Sequence, residues 1–266
     1  MSQTVLVERL AAHPQIATLT FNRPEVYNAM SDELIHAFRD ATVALQQATD
    51  VRALIVRGAG KAFLAGGDVA SFHARKDDPT LAATVIPLGG ALHEGIIAMR
   101  NMPFPVIASI QGACAGAGVS VALACDFAIA SERAAFNTAY AEIGLSPDGG
   151  ATFFLARMVG IRRATELLML TDTIDAEAAC GLGLVNRVVA HGALDAEVTA
   201  LATRLANGAT LAFAKVKTLL NQSLDSPLKP QLEAEIAYFA QSATTADFKE
   251  GVTAFVEKRP PLFTGK

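Results

Sequence analysis

Two glycine-rich turns carry the residue types that a reacting carbonyl needs: Ala65-Gly66-Gly67-Asp68 and Ala115-Gly116-Ala117-Gly118. Each joins a short apolar run to a helical one. Small residues let a ligand approach the backbone, and amides at a helix start point outward with partial positive charge. Two such turns meeting at one carbonyl oxygen would form an oxyanion hole, a set of donors aimed at charge that develops during reaction. The commoner use of either turn, taken singly, is tight helix–strand packing.

Other chemistries are opposed by what their motifs lack. Gly58 and Gly60, Gly116 and Gly118, and Gly181 and Gly183 each begin a dinucleotide fingerprint, but Phe63, Val121 and Asn186 stand where its third glycine belongs. Ile55 takes the place of the first glycine in a phosphate loop ending at Lys61. Gly118-Val119-Ser120-Val121-Ala122 misses the last glycine of a nucleophile elbow. Ile97 fills the slot of the second histidine after His93-Glu94, so no metal is expected.

These turns must be held by a folded core. The chain has 266 residues, 52% hydrophobic and 18% charged, with 22 Lys and Arg against 26 Asp and Glu and a net charge of −4. That balance excludes a disordered chain and a globally basic nucleic-acid binder. Cys114, Cys125 and Cys180 match no metal or redox spacing. Glu8 and Arg9 interrupt the opening MSQTVLVERL where a secretory leader would be apolar. Reduced thiols and a cytoplasmic protein are expected. Residues 101–125 are uncharged and long enough to cross a membrane, but Pro103, Pro105, Gln111, Gly112, Gly116 and Gly118 interrupt them. They read as a buried strand, a turn and a buried helix, with no membrane partner.

Residues 5–10 and 16–21 read as a hairpin connected through His13-Pro14-Gln15. Ser31 is an N-cap before acids Asp32 and Glu33, and Leu34, Ile35, Phe38, Ala41 and Leu45 then share a helical face. Strands are expected at 53–56, 106–110 and 127–130, and helices at 92–99 and 116–124. Strands alternating with helices predict an α/β fold. Arg75-Lys76-Asp77-Asp78-Pro79 reads as a surface loop. Past Gly208 the spacing predicts only helices, at 211–224, 229–241 and 246–258. Phe213, Leu219, Leu220, Ile236, Phe239, Phe248 and Phe255 offer more apolar surface than three short helices can bury among themselves. Residues 1–207 thus form a core, and 208–266 a helical segment that packs on it or on another subunit.

In order along almost the whole chain, a series of segments resembles the crotonase (enoyl-CoA hydratase/isomerase) superfamily. They are Phe21-Asn22-Arg23-Pro24-Glu25-Val26-Tyr27-Asn28-Ala29-Met30, Lys61-Ala62-Phe63-Leu64-Ala65-Gly66-Gly67-Asp68, and Pro105-Val106-Ile107-Ala108 with Gln111-Gly112-Ala113-Cys114-Ala115-Gly116-Ala117-Gly118. Cys125-Asp126, Ile143-Gly144-Leu145-Ser146-Pro147-Asp148-Gly149-Gly150, Gly183-Leu184-Val185-Asn186 and Phe255-Val256-Glu257-Lys258-Arg259 continue it. The resemblance implies a crotonase-like spiral of ββα units with a C-terminal helical trimerisation segment, assembled as a homotrimer or a dimer of trimers. It assigns the oxyanion amides to Gly67 and Ala117. It places Val26, Tyr27, Ala65 and Asp68 along the coenzyme A path and Phe255 and Lys258, from the same or a neighbouring subunit, near the nucleotide end. Coenzyme A would enter as part of an acyl-CoA thioester substrate, with no tightly bound cofactor.

Hydratases of this superfamily activate water with two glutamates, whose positions fall here on Ser120 and Tyr140. Neither is a carboxylate base. An aspartate at the place of Asp148 occurs in the phenylacetate-degradation-type isomerases, which this chain also resembles at Phe263-Thr264-Gly265-Lys266, and there it shuttles a proton. Chlorobenzoyl-CoA dehalogenase has an aspartate there as a nucleophile, a tryptophan where this chain has Tyr140, and a histidine where it has His93. Taken alone, Pro147-Asp148-Gly149 is turn chemistry and His93 a helix-surface residue. Moving a double bond from β,γ to α,β needs one base that takes a proton at the α carbon and returns it at the γ carbon. Asp148 is the expected base and Glu142 the reserve, with Ser120, Tyr140 and His93 expected around the substrate. The open alternatives are a hydratase with non-standard acid/base residues, a dehalogenase-like hydrolase, and a catalytically silent crotonase-fold scaffold or RNA binder. The acidic balance opposes nucleic acid, since Arg162-Arg163 is too short a basic run.

Overall fold

The computed structural model describes residues 3–266. Strands β1 (Val5–Leu10) and β2 (His13–Phe21) pair antiparallel, with Val5 opposite Phe21 and Leu10 opposite His13. The turn is Ala11-Ala12, so His13-Pro14-Gln15, expected as the connection, opens β2 instead. A register shift at Arg9 and Leu10 admits Pro14, because an irregular ladder does not need the N–H that proline lacks.

Helix α1 (Asp32–Gln46) starts at Ser31, whose Oγ accepts from the Leu34 amide at 3.2 Å. Strand β3 (Ala53–Gly58) follows, then α2 (Val69–Ala74), α3 (Leu81–Arg100), β4 (Val106–Ile110), β5 (Ala113–Ala115) and α4 (Ala117–Ala124). Next come β6 (Phe127–Ser131), β7 (Ala135–Asn137), α5 (Ala151–Leu170), β8 (Ile174–Asp175), α6 (Ala176–Gly181), β9 (Arg187–Val189) and α7 (Leu194–Ala206). The main sheet runs β1-β2-β3-β4-β6-β9 and is parallel from β2 onward; β5-β7-β8 form a smaller second sheet. All five residues of β4 are buried, as a parallel strand covered on both faces requires. Alternate residues feed opposite layers: Leu54, Val56 and Ala108 face the core shared with α1 and α3, whereas Ala53, Ile55 and Ile107 pack under α7.

Helix α3 begins well before the expected residue 92. Residues 81–90 bury nothing and contain Pro87, Gly89 and Gly90, so they offer no one-sided apolar pattern to read. Its length and composition would suit a membrane span, but its later turns are core. A Cβ on Gly95 would lie 2.6 Å from the Phe38 ring of α1. Residues 101–125 form β4 and the wholly buried α4, the strand and helix expected, with the three-residue β5 between them where only a turn was expected. Helix α5 is broken at Gly160, where φ is 76°.

Helices α8 (Thr210–Ser223), α9 (Leu228–Ser242) and α10 (Ala246–Glu257) complete the chain. Lys217 of α8 sends its ammonium into the core, donating to the Met99 carbonyl at 2.9 Å and the Asp126 carboxylate at 2.8 Å. Burial holds its pKa below the usual 10.5, against the pull of Asp126. The Arg52 guanidinium donates to the carbonyls of Gly208 at 2.7 Å and Phe263 at 3.1 Å. Helix α9 buries no side chain, and Leu228, Leu232, Ile236 and Phe239 stay exposed.

Candidate active site

The two glycine-rich turns lie side by side. Ala115 donates to the Leu64 carbonyl at 2.9 Å, and Phe63 donates to the Ala113 carbonyl at 2.9 Å. Gly66 (φ 81°) rests on the second turn: a Cβ there would meet the Ala115 oxygen at 3.0 Å and the Gly116 Cα at 3.4 Å. Gly118 is equally constrained, because its Cβ would stand 2.1 Å from the Leu64 oxygen. On the far side, Met30 bridges Gly67 and fixes the first turn to the loop before α1. Asn28, wholly buried, donates to the carbonyls of Ala59 and Ala62, both at 2.9 Å, and so ties that loop to the end of β3.

Gly67 and Ala117 line one cavity of about 400 Å³. Among the described residues neither amide donates to a protein acceptor. For Ala117 this follows from its place as the first residue of α4, where helical N–H groups have no partner within the helix. Met30, Phe72, Leu88, Leu92 and Leu145 make the walls apolar. Ala65, Asp68, Tyr140, Glu142 and Asp148 also line it.

Asp148 is held at three points. Tyr140 donates its phenol proton to Oδ1 at 2.8 Å, and Ser120 donates its hydroxyl to the Asp148 carbonyl at 3.0 Å. The following amide, Gly149, donates to His93 Nε2 at 3.2 Å. Burial, with the Asp148 charge behind it, pushes the Tyr140 phenol well above its usual 10.0, so it stays a neutral donor.

Two expected pocket residues stand elsewhere. Ser120 lies behind Tyr140 with no exposed surface, because every residue of α4 is buried. His93, one position beyond Leu92, faces a different groove of about 730 Å³ lined with Phe153, Phe154 and Leu220. Successive helical side chains point in different directions, which divides Leu92 from His93. That larger groove holds neither turn amide, so its size does not make it the reaction site.

Val26 and Tyr27 are exposed and lie beside the cavity rather than on it; Tyr27 accepts from the Ala65 amide at 3.1 Å. Phe255 is 85% exposed, and Lys258 caps α10 with φ 56°; neither lines the cavity within one chain. Asp68 does line it, while capping α2 through the Ser71 amide and pairing with Arg23 at 3.2 Å. Sequence reasoning missed Arg75 and Asp32, which both line the cavity and approach to 3.7 Å. Their signals, a loop charge and a helix-start acid, are common to surfaces everywhere.

The family model for enoyl-CoA hydratase/isomerase matches residues 12–266. A probable enoyl-CoA hydratase from Rhodobacter capsulatus is 39% identical over 256 residues, covering 94% of this chain and 95% of that one. The 1,2-epoxyphenylacetyl-CoA isomerase of Escherichia coli is 34% identical over 265 residues, covering 98% and 100%. The crystal structure of an enoyl-CoA hydratase from Polaromonas sp. JS666 superposes with a TM-score of 0.90 at 35% identity, covering 98% and 99%. Likeness of this extent reaches every element that frames the two turns and Asp148: the chain belongs to the enoyl-CoA hydratase/isomerase family and has the crotonase fold.

Proposed function

We propose that this protein is an enoyl-CoA isomerase that moves a β,γ double bond to the α,β position. The Gly67 and Ala117 amides hold the thioester oxygen, and Asp148 carries the proton. The supporting observation is that Asp148 lines the same cavity as Gly67 and Ala117, whose amides donate to no protein acceptor among the described residues. Ser120 and Tyr140, assigned by resemblance to the hydratase glutamate positions, are both bonded to Asp148 instead of offering carboxylates. An oxyanion hole stabilises the enolate more than the ground-state thioester, which is where isomerisation needs help. The isomerase name of the Escherichia coli relative agrees with this reading.

Coenzyme A is part of the substrate in this reading, entering past Ala65 and Asp68 with Val26 and Tyr27 alongside. Phe255 and Lys258 are assigned to the nucleotide end in an assembly of three or six copies; the exposed apolar residues of α9 and α10 support such an assembly. The free thiols, with Cys114 and Cys125 buried and inert, suit a reducing cytoplasm.

Hydration is the second reading. Glu142 shares the cavity with Asp148 and accepts from Asn137 at 3.1 Å, so two carboxylates are available to a water. The hydratase name of the Rhodobacter relative agrees with it. One assay separates the two: β,γ- and α,β-enoyl-CoA are each supplied, and double-bond migration and water addition are followed separately. Migration by the wild type, lost in Asp148→Asn, is the expected result; undiminished migration by that variant removes Asp148 as the base.

A further inference from the structure

The hydroxyl protons around Asp148 can be assigned one by one. Tyr140 is 9% exposed and Ser120 not at all, so each hydroxyl must find a protein acceptor. For Ser120 the acceptor is the Asp148 carbonyl at 3.0 Å. For Tyr140 the choices are Asp148 Oδ1 at 2.8 Å, the Asp148 carbonyl at 3.4 Å and Ser120 Oγ at 3.2 Å. The carboxylate is both the nearest and the charged acceptor, and it makes the stronger bond. Each hydroxyl has one proton to give, so the Ser120–Tyr140 contact is left without one. Among the described residues no donor is bonded to Asp148 Oδ2.

We propose that Tyr140 is a positioning residue that occupies Asp148 Oδ1 and leaves Oδ2 as the one oxygen through which the proton leaves Cα and returns at Cγ. This deepens the proposed isomerase activity and rests on it. The Cα–H bond breaks toward Oδ2, and its electron pair becomes the double bond of a dienolate whose charge rests on the thioester oxygen. The new O–H bond then breaks toward Cγ. The charge returns along the conjugated chain, and the double bond ends between Cα and Cβ. No oxidant, reductant or second base takes part. One oxygen fixed by a buried phenol serves one face of the acyl chain, and walls of Met30, Leu88 and Leu92 limit exchange with water.

The test is turnover, in ordinary water, of a β,γ-enoyl-CoA dideuterated at Cα, with deuterium at the product Cγ read by mass spectrometry at low conversion. The wild type is expected to carry most of the label across. Tyr140→Phe, with both carboxylate oxygens released, is expected to lose most of that retention and to lose about tenfold in kcat with little change in KM. A fall in retention with KM unchanged is what separates positioning of the carboxylate from general damage to the site. Equal retention in wild type and Tyr140→Phe overturns the proposal, as does a wild type that retains none. If the wild type moves no double bond at all, the isomerase activity itself fails. Tyr140 is then judged on α-hydrogen exchange of a saturated acyl-CoA in deuterated water: about tenfold slower exchange in Tyr140→Phe supports its positioning of Asp148, and an equal or faster rate overturns it.

Discussion

Gly66 sits against Gly116 with no side chain between them, so close that a methyl on Gly66 would come within 3.4 Å of the Gly116 Cα and 3.0 Å of the Ala115 oxygen. The spacing of the two turns, and hence of the Gly67 and Ala117 amides, is therefore set by backbone contact. A side chain can adapt by rotating; two backbones in contact can only shift.

Gly66→Ala tests that dependence. The residue's φ of 81° and the blocked Cβ together should cost about 1–3 kcal/mol of stability. In the proposed reaction, displacing one amide from the thioester oxygen should lower kcat about a hundredfold. Thermal melting and steady-state turnover read the two effects separately, and a lowered Tm with unchanged kcat would show that the amides do not rely on this contact.

If the proposed isomerase reading holds, Asp148→Asn should lower the rate of double-bond migration by about a hundred- to ten-thousandfold, the range of a lost general base. The melting temperature should hardly move, because Tyr140 can donate to the amide oxygen of asparagine as it does to Oδ1. A large fall in Tm would assign Asp148 a structural role instead.

Tyr140 also predicts a pH dependence of stability. Its folded-state pKa is raised by burial above 10.0. Below pH 10.0 the phenol is protonated in both folded and unfolded chains, and its contribution is fully present. Above that value the unfolded chain ionises while the folded one keeps its proton, so stability falls as pH rises, by about 1.4 kcal/mol per pH unit for this group. Urea unfolding on either side of pH 10.0 should show this slope in the difference between wild type and Tyr140→Phe. Parallel curves would contradict it.

Lys217→Met should lower the unfolding free energy by about 3 kcal/mol, since it strips a buried carboxylate of its closest cation. Arg100, 3.4 Å from Asp126, compensates only in part. Replacing Asp126 by leucine in the same chain should recover some of the loss, measured by urea titration. A single variant as stable as the wild type would mean that the ammonium adds nothing to the docking of α8.

The parts of the fold that sequence made legible are those with one-sided patterns. Ser31 with Asp32 and Glu33 marks the start of α1, and the unbroken Val106–Ile110 run marks a strand buried on both faces. The first half of α3 had no such pattern because it buries nothing. Gly67 and Ala117 were singled out through resemblance, but their sharing of one cavity depends on Leu64 and Cys114 pairing across separate segments. Asp148 stood out only through resemblance, since Pro147-Asp148-Gly149 alone reads as a turn. The grip of Tyr140, Ser120 and His93 on that turn was illegible, because each arrives from a different element and the contacts exist only once all are packed.

Arg52 leaves a last consequence for how the chain is born. Its guanidinium joins carbonyls 156 and 211 positions downstream, at Gly208 and Phe263. A ribosome delivers Arg52 long before either acceptor emerges, so its guanidinium must wait without them, and the Ala53 and Ile55 face of the strand it introduces waits uncovered until α7 is made. Early-emerging segments of this kind are where chaperones bind and where nascent chains aggregate.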